Sequence, residues 1–407
     1  MQVRPRGHEI VEELLRRGVD LPNPLTLDIG PEVDPDRISA DGVTIHPGCR
    51  IRGAGTVISA GVTLGAEAPV TLDNCRLGPS VELKGGFFSR SVFLEKSSMG
   101  SGAQVREGTL LEEEAGGAHC VGLKQTILFP FVTLGSLINF CDCLMSGGTS
   151  RKDHGEVGSS YIHFNFTPDG DKTTASLFGD VPRGVMLDQR PIFLGGQGGT
   201  VGPVRTGFGT VVAAGSILRN DVLEDNTLVL AKPLPGLRRP VAAQSYKNLA
   251  PTVTKNLQYL AGLVALEQWY LHVRKPFFDA QELGPLVFEG ALEVIAAGRS
   301  ERAKRLAAMV AKVPGGTGDT GGRDQLRERI GEVLAVFESP PGVEPPTEFL
   351  KEMRASADQA PTDYLTAVRH LSSAARQAGT GWLQKVIDDL CAQTAALVPS
   401  MKLFVRT

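Results

Sequence analysis

Small and apolar side chains recur every six residues along the first half of the chain. The series is clearest at five positions: Leu194, Thr200, Thr206, Val212 and Leu218. A second set of small or branched residues lies two positions before each member, and the stretch from Ile45 to Leu83 repeats the spacing with slips of one residue. Strands alone give a period of two and helices a period of 3.6, so this pattern predicts short strands joined at regular corners.

Three such strands per turn make a coil of about 18 residues, in which each strand pairs with those of the coils above and below. We therefore predict a parallel β-solenoid of hexapeptide repeats over residues 40–240, in which residues 18 apart stack. An ordinary β-sandwich is the alternative fold, but it gives no reason for a period of six.

The composition changes near Pro240, after which Ala, Leu, Glu, Lys and Arg dominate. Apolar residues at spacings of three and four from Leu249 to Leu271 and from Leu286 to Val313 predict helices. Further helices are expected at about Arg323–Phe337, Thr347–Ser356, Thr362–Ala378 and Gly381–Leu397, with a flexible linker at Pro314–Gly322. The expected organisation is an N-terminal cap over residues 1–39 with a helix at His8–Arg17, the solenoid at 40–240, and an all-α domain at 241–407.

Charge and cysteine content narrow the function. The net charge of −3 is spread without a basic stripe, which argues against nucleic-acid and membrane-surface partners. The N-terminus lacks the apolar run of a signal peptide, and no stretch reaches transmembrane length. Six irregularly placed cysteines are typical of reduced thiols, so we predict a cytoplasmic protein.

Three sequence blocks carry a resemblance to a known family. They run from Val105 to Lys124, from Val157 to Lys172, and from Ile192 to Val222. Together they resemble the C-terminal acetyltransferase domain of the bacterial bifunctional enzyme that acetylates glucosamine 1-phosphate and then uridylylates it, without its nucleotidyltransferase domain. The resemblance implies a left-handed β-helix, a homotrimer, acetyl-coenzyme A (or another acyl-coenzyme A) as cofactor, and a sugar phosphate or nucleotide sugar as substrate.

The resemblance also implies a sugar-phosphate site. Arg106 and Lys124 stand where the family grips the phosphate, and their separation of 18 places them on one face. Two stacked cations repel unless an anion lies between them, although they can equally be solvated surface charges. The resemblance adds Lys172 from a loop, Asn165 as a sugar contact, Phe166 where the family has Tyr, and Asn139 where the family has another Tyr.

On the coenzyme side, the resemblance implies that Gly196 and Ala214 are the small residues against which the pantetheine arm lies, and that Lys232 contacts the coenzyme phosphates. These three positions are again 18 apart. Small residues are common in tight coils, so a purely structural role remains the alternative.

The catalytic position departs from the family. Ser136 replaces the His that serves as base, and Glu156 replaces an Asn that holds the amino sugar. A neutral serine is no base at pH 7 without an activating partner. Two histidines are candidates: His163, which shares a strand face with Tyr161 and Asn165, and His154, in an insertion that is expected to fold over the cleft as a lid. Each can instead be a hydrogen-bonded structural residue.

A second insertion, Pro182–Pro191, is expected to project as a loop from one corner, where Arg190 is a candidate phosphate contact in an adjacent chain or a partner in an intersubunit ion pair. A zinc site around Cys141 and Cys143 is not predicted, because a Cys-x-Cys pair is weak evidence and cysteines suit inward positions. The leading hypothesis is an acyltransferase acting on an amino group of a sugar phosphate or nucleotide sugar. The alternative is a catalytically silent sugar-nucleotide-binding or assembly module.

Overall fold

The side chains of the six-residue series point into the interior of a triangular solenoid in the computed structural model of the protein, and all five residues from Leu194 to Leu218 named above are buried. The structure describes residues 6–163, 169–232, 234–238, 240, 246, 249–315, 322–338 and 342–404. The prediction of a parallel hexapeptide-repeat solenoid followed by helices is confirmed. Strand pairing begins at Asp28, which is earlier than the boundary expected at residue 40.

Three faces, which we name A, B and C in the order in which the chain crosses them, make up each coil. Face A contains β2 Thr44–Ile45, β5 Thr63–Leu64, β8 Glu82–Leu83, β11 Ser98–Met99, β14 Gly116–Gly117, β16 Thr133–Leu134, β20 Glu156–Val157, β23 Phe193–Leu194, β26 Val211–Val212 and β28 Leu228–Val229. Face B contains β1 Asp28–Ile29, β3 Arg50–Arg52, β6 Val70–Asp73, β9 Gly86–Ser89, β12 Ala103–Val105, the first halves of β15 Val121–Leu128 and β17 Ile138–Met145, β21 Tyr161–His163, β24 Gly199–Thr200 and β27 Ile217–Leu218. Face C contains β4 Val57–Ile58, β7 Arg76–Leu77, β10 Ser91–Phe93, β13 Thr109–Leu111, the second halves of β15 and β17, β22 Ser176–Phe178 and β25 Arg205–Thr206.

Corners between the faces are turned by residues in the left-handed region of backbone space. On the corner between faces B and C, the BC corner, successive coils place Asn74, Arg90, Gly108, Gln125 and Asp142 there, with φ between 44° and 75°. Non-glycine residues adopt this conformation only where the surroundings demand it. The repeated corner therefore stacks polar side chains of successive coils along one edge of the prism.

Helices follow the solenoid, and the short N-terminal helix α1 is at His8–Arg17 as predicted. The others are α2 Val181–Gly184, α3 Leu249–Trp269, which continues through Tyr270–Arg274, α4 Lys275–Asp279, α5 Gly284–Lys312, α6 Arg323–Ala335, α7 Thr347–Gln359, α8 Tyr364–Arg369 and α9 Ser373–Leu397. Among the described residues, none of these helices combines the length and apolar character needed to cross a bilayer.

The last two predicted helices have different bounds from those expected. The helix expected at Thr362–Ala378 ends at Arg369, and α9 then runs unbroken through Gly379 and Gly381. Ser372 caps α9, because its hydroxyl accepts a hydrogen bond from the Ala375 amide. Gly379 does not break the helix: a Cβ there would lie 2.7 Å from Met186 Cε, so the glycine permits close packing.

Face C is apolar on both sides, which sets the position of the helical region. Its inward residues join the interior of the prism, whereas its outward residues Val92, Leu110, Ile127, Leu144 and Leu177 are buried in a second core together with α3 and α5. Faces A and B remain uncovered by this packing over most of their outward residues. The two uncovered faces are therefore where a ligand can approach.

A buried charged cluster joins the solenoid to the helices. Arg274 donates to Glu112 Oε1 at 3.0 Å and to Glu113, and Tyr270 donates to the same Glu112 oxygen at 2.6 Å. The guanidinium also lies 4.0 Å from the centre of the Tyr364 ring. Burial raises the pKa of Glu112 to about 7 in spite of the opposing attraction of Arg274.

The raised pKa of Glu112 predicts that stability falls as pH rises. The folded protein keeps the proton above the pKa of about 4.3 of the unfolded carboxyl, so this stabilisation is complete below that value and is lost as pH rises through about 7. Urea unfolding between about pH 5 and pH 8 should show a negative slope approaching 1 kcal/mol per pH unit. Glu112→Gln should flatten the slope, and an unchanged slope would contradict the assignment.

Candidate functional site

Face B brings Arg106 and Lys124 together in adjacent coils. The parallel ladder pairs Val105 with Leu123, 18 residues apart, and the Arg106 amide donates to the Leu123 carbonyl at 2.9 Å. The two cations therefore extend outward at equivalent positions, as their spacing predicts. Arg106 is exposed and makes no side-chain hydrogen bond or ion pair within the described part of the chain.

Lys124 has a carboxylate partner that the sequence reading did not anticipate. Its Nζ lies 2.8 Å from Glu107 Oε1. The hydrogen bond from Lys124 lowers the pKa of Glu107, with a smaller contribution from Arg90. Both groups are partly exposed, so the pair is accessible to a stronger anion, such as a phosphate, that competes for the ammonium.

Asn139 and Cys141 continue face B in the next coil. Asn139 pairs with Gly122, and Cys141 pairs with Lys124. The Cys141 thiol donates to Asn139 Oδ1 at 3.0 Å. Burial raises the pKa of Cys141 to about 12, while Lys124 and Arg106 act in the opposite direction, which shows that both cations lie near this thiol. Cys141 is consequently a protonated hydrogen-bond donor beside the two cations.

The next strand of face B holds three sequence-predicted residues. The backbone of His163 pairs with Cys141, one coil away from Lys124. Its side chain, and both Asn165 and Phe166, lie outside the described residues. Their roles stay predictions.

His119 and Ser136 form a hydrogen-bonded pair at the corner between faces A and B, the AB corner. Ser136 Oγ lies 2.8 Å from His119 Nδ1, and the Leu137 amide donates to the His119 carbonyl at 3.1 Å. Ser136 is the position where the resembled family has its catalytic His, so the structure supplies an imidazole from the preceding coil. His119 was not among the predicted bases, although its spacing of 17 from Ser136, one coil, was a signal for it.

The AB corner continues as a column of small residues. The Gln197 amide donates to the Ser159 carbonyl, and the Gly215 amide donates to the Gly196 carbonyl at 2.8 Å. Gly196 and Ala214 thus lie in successive coils beyond the His119–Ser136 pair. The last coil is one residue shorter, because Val212 pairs with Val229. Register therefore places Ala231 over Ala214, with the exposed Lys232 next to it.

His154 lies on a different edge of the prism. It belongs to a hairpin of β18 Gly148–Ser150 and β19 Asp153–His154, and its Nδ1 lies 2.9 Å from the Arg151 carbonyl. Arg151 anchors the hairpin at the corner between faces C and A, the CA corner, by donating to the Glu114 and Phe131 carbonyls. The expected lid is therefore a hairpin held across face A from the cation pair.

Lys172 and Arg190 are also set apart from the cation pair. The exposed Lys172 lies in a segment held by α5, where its carbonyl accepts from Arg302, which also pairs with Asp142 at 2.8 Å. Arg190 lies on the CA corner and donates to Asn226 Oδ1 at 2.8 Å.

The insertion that carries Arg190 does not project as expected. Its residues Val185, Met186 and Leu187 are buried in the core shared with the helices, and α2 packs against α9 and α3. The apolar run Val185–Leu187 is the physical reason, since it would be exposed on a projecting loop. The prediction of a free loop was wrong.

Curated proteins similar to the chain agree with the resemblance seen in the sequence. "Bifunctional protein GlmU" of Staphylococcus haemolyticus (strain JCSC1435) is 28% identical over 220 residues, which cover 54% of this chain and 43% of the relative. The chain resembles the bifunctional GlmU proteins. That of Thermotoga petrophila (strain ATCC BAA-488 / DSM 13995 / JCM 10881 / RKU-1) is 27% identical over 212 residues, 52% of this chain and 42% of the relative.

The GlmU of Clavibacter sepedonicus is 26% identical over 226 residues, 54% of this chain and 41% of the relative. The chain thus spans less than half the length of these GlmU relatives. No protein-family model matches the chain.

Proposed function

We propose that the protein is an acyltransferase that moves an acetyl group from acetyl-coenzyme A to the amino group of a sugar phosphate or nucleotide sugar. The observation that carries the proposal is the His119–Ser136 pair, with its 2.8 Å hydrogen bond, on the same face as Arg106 and Lys124. Ser136 lies five residues before Cys141, which pairs with Lys124, so imidazole and cations occupy the two ends of one face about 16 Å apart. Asn139 lies between them.

The imidazole has the chemistry that the transfer needs. An amine that attacks a carbonyl must lose a proton as the new C–N bond forms, and a histidine base accepts it. When His119 Nδ1 carries a hydrogen and donates it to Ser136 Oγ, Nε2 is left unprotonated and can accept the amine proton. Ser136 is then a positioning residue that holds the imidazole in the useful tautomer.

The sugar phosphate is assigned to the cation end of face B. Arg106 has no protein partner among the described residues, and Lys124 shares only one exposed carboxylate. A bound phosphate accepts charge-assisted hydrogen bonds from both side chains and removes their mutual repulsion. Asn139 offers an amide to the sugar hydroxyls. Lys172, Asn165 and Arg190 stay proposals that rest on the resemblance.

The AB corner is the proposed place for the coenzyme. Acetyl-coenzyme A supplies the activated acetyl group. Gly196 and Ala214 present no bulky side chain along this corner, so an extended pantetheine arm can lie against the backbone and lead to His119. Lys232, exposed near the end of the column, is assigned to the coenzyme phosphates.

We also propose a homotrimer, as the resemblance implies. Leu137, Tyr161 and Ile217 are exposed along face B and its AB corner, at 62%, 75% and 41% of their surfaces. Exposed apolar side chains grouped on one face are typical of an interaction surface. Packing of the AB corner against a neighbouring chain would bury them and enclose the His119–Ser136 pair.

A second candidate function is a binding or assembly module that retains the sugar-phosphate cleft without chemistry. The observation in its favour is Ser136 itself, since the family's base has been replaced at that position.

An assay of thiol release separates the two functions. The purified chain is incubated with acetyl-coenzyme A and a panel of amino-sugar phosphates and nucleotide amino sugars, and free coenzyme A is followed with a thiol reagent. The proposal expects turnover that depends on the amino sugar and is absent with the N-acetylated sugars. Calorimetric binding of the sugars without thiol release would instead support the binding module, and neither signal would overturn both.

A further inference from the structure

A cavity of about 400 Å³ opens between the BC corner and α5, next to the proposed phosphate site. Its solenoid wall includes Asn74, Arg90, Glu107 and Gln125, and its helical wall includes Glu293 and Val294. Most of the lining surface is apolar, with a few polar groups at the edges. This size and character match those of small-molecule sites in proteins.

The cavity is continuous with the proposed phosphate site through Glu107. This residue lines the cavity and also holds Lys124 at 2.8 Å. Arg90 lies one coil before Gly108, whose amide donates to the Arg90 carbonyl at 3.2 Å. A ligand phosphate held by Arg106 and Lys124 thus borders on the mouth of the cavity.

The charge at this mouth exceeds what one phosphate requires. Arg90 is exposed and makes no side-chain hydrogen bond or ion pair in the part of the chain that the structure describes. Three cations, Arg90, Arg106 and Lys124, therefore face the single carboxylate of Glu107. A monophosphate uses the pair on face B, whereas a diphosphate also engages Arg90.

Polar groups inside the cavity lack partners or retain capacity. Gln125 makes no side-chain hydrogen bond within the described ranges, and its amide lies across Gly108, where a Cβ would come within 2.5 Å of Nε2. It offers one donor and one acceptor to a planar ring that carries both. Glu293 is held by Arg76 at 2.7 Å but is 60% exposed, so it can still accept hydrogen bonds from ribose hydroxyls.

We propose that this cavity binds the nucleoside of a nucleoside-diphosphate sugar, so that the substrate class of the enzyme is nucleotide amino sugars and not sugar monophosphates. The inference rests on the proposed function, because it takes face B as the site of the sugar-proximal phosphate. The second phosphate is held by Arg90, the base lies between Val294 and the BC corner, and Gln125 contacts the edge of the base. Helix α5 thereby acquires a role in substrate selection.

The test compares the affinity of two ligands by calorimetry without any acyl donor: N-acetylglucosamine 1-phosphate, and N-acetylglucosamine carried on uridine, cytidine, adenosine or guanosine diphosphate. At least one nucleotide sugar should bind the unaltered chain at least about tenfold more tightly than the monophosphate, since each added charge-assisted contact contributes on that scale. Arg90→Ala should remove about tenfold of the nucleotide-sugar affinity and leave monophosphate binding unchanged.

Matched variants distinguish the possible failures. Val294→Trp, which fills the cavity, should weaken only the nucleotide sugar, and Arg106→Ala should weaken both ligands. Arg50→Ala, an exposed arginine on face B several coils away, should change neither. If the monophosphate binds as tightly as every nucleotide sugar and Arg90→Ala has no effect, this inference is overturned while the proposed function stands. If neither ligand binds, the proposed function fails and the inference with it.

Discussion

Replacing His119 by alanine should lower the rate of acetyl transfer by about 10²–10⁴-fold, the usual contribution of a general base. The loss should appear in kcat, because His119 handles a proton and the phosphate is held by Arg106 and Lys124 at the other end of face B. Sugar-phosphate affinity measured by calorimetry should therefore stay within about twofold of the unaltered chain. Thiol release at saturating acetyl-coenzyme A gives the rate.

Companion variants show whether the loss is specific to the base. Ser136→Ala removes one orienting hydrogen bond of about 1 kcal/mol, so a loss of about fivefold is expected, together with a shift in the pH profile of kcat. His370→Ala alters an exposed histidine of the helical region and should have no effect. If His119→Ala keeps full turnover while His154→Ala or His163→Ala abolishes it, the base is one of the two residues suggested by the sequence.

The solenoid was predictable because its interior is narrow. Every inward position must be filled by a side chain that fits between three walls, so the period of six is written into residues such as Leu194, Val212 and Leu218. The same argument gave the stacking of Arg106 on Lys124, since their coil has the regular length of 18 residues. Local spacing was enough in both cases.

The His119–Ser136 pair was missed for a related reason. The coil at this corner has 17 residues, as the pairing of Gly116 with Thr133 shows, so a search at a spacing of 18 passes over it. The hairpin that carries His154 was misplaced because its position depends on hydrogen bonds from Arg151 to carbonyls of two other coils. Such long-range contacts leave no periodic trace in the sequence.

The place of the helical region did leave a trace. Outward positions of faces A and B are mostly polar or small, whereas face C has adjacent apolar pairs such as Val92-Phe93, Leu110-Leu111 and Leu144-Met145. A strand that is buried on both sides has a continuous apolar run instead of an alternating pattern. The pairs therefore indicate that face C is covered, although the sequence does not state by which helices.

Arg274→Met should lower the free energy of unfolding by about 3–5 kcal/mol. The side chain is buried at the junction of solenoid and helices, where it is hydrogen-bonded to Glu112 and Glu113. Methionine fills much of the same volume but leaves two buried carboxyl groups without a cation. Urea unfolding monitored by tryptophan fluorescence measures the change, because Trp269 and Trp382 both lie in the core that the cluster borders.

The pH dependence of that loss identifies its cause. Without the guanidinium, Glu112 and Glu113 can avoid the cost of buried charge only by keeping their protons, which becomes harder as pH rises. The destabilisation should accordingly be larger at about pH 8 than at about pH 5, and Glu112→Gln added to Arg274→Met should recover part of it at the higher pH. Lys275→Met removes a neighbouring cation whose partner Asp279 is exposed, and it should cost less than about 1 kcal/mol. A loss for Arg274→Met that is equal at both pH values would mean that methionine disturbs the packing around Tyr364 and Tyr270, and that the carboxylates play no part.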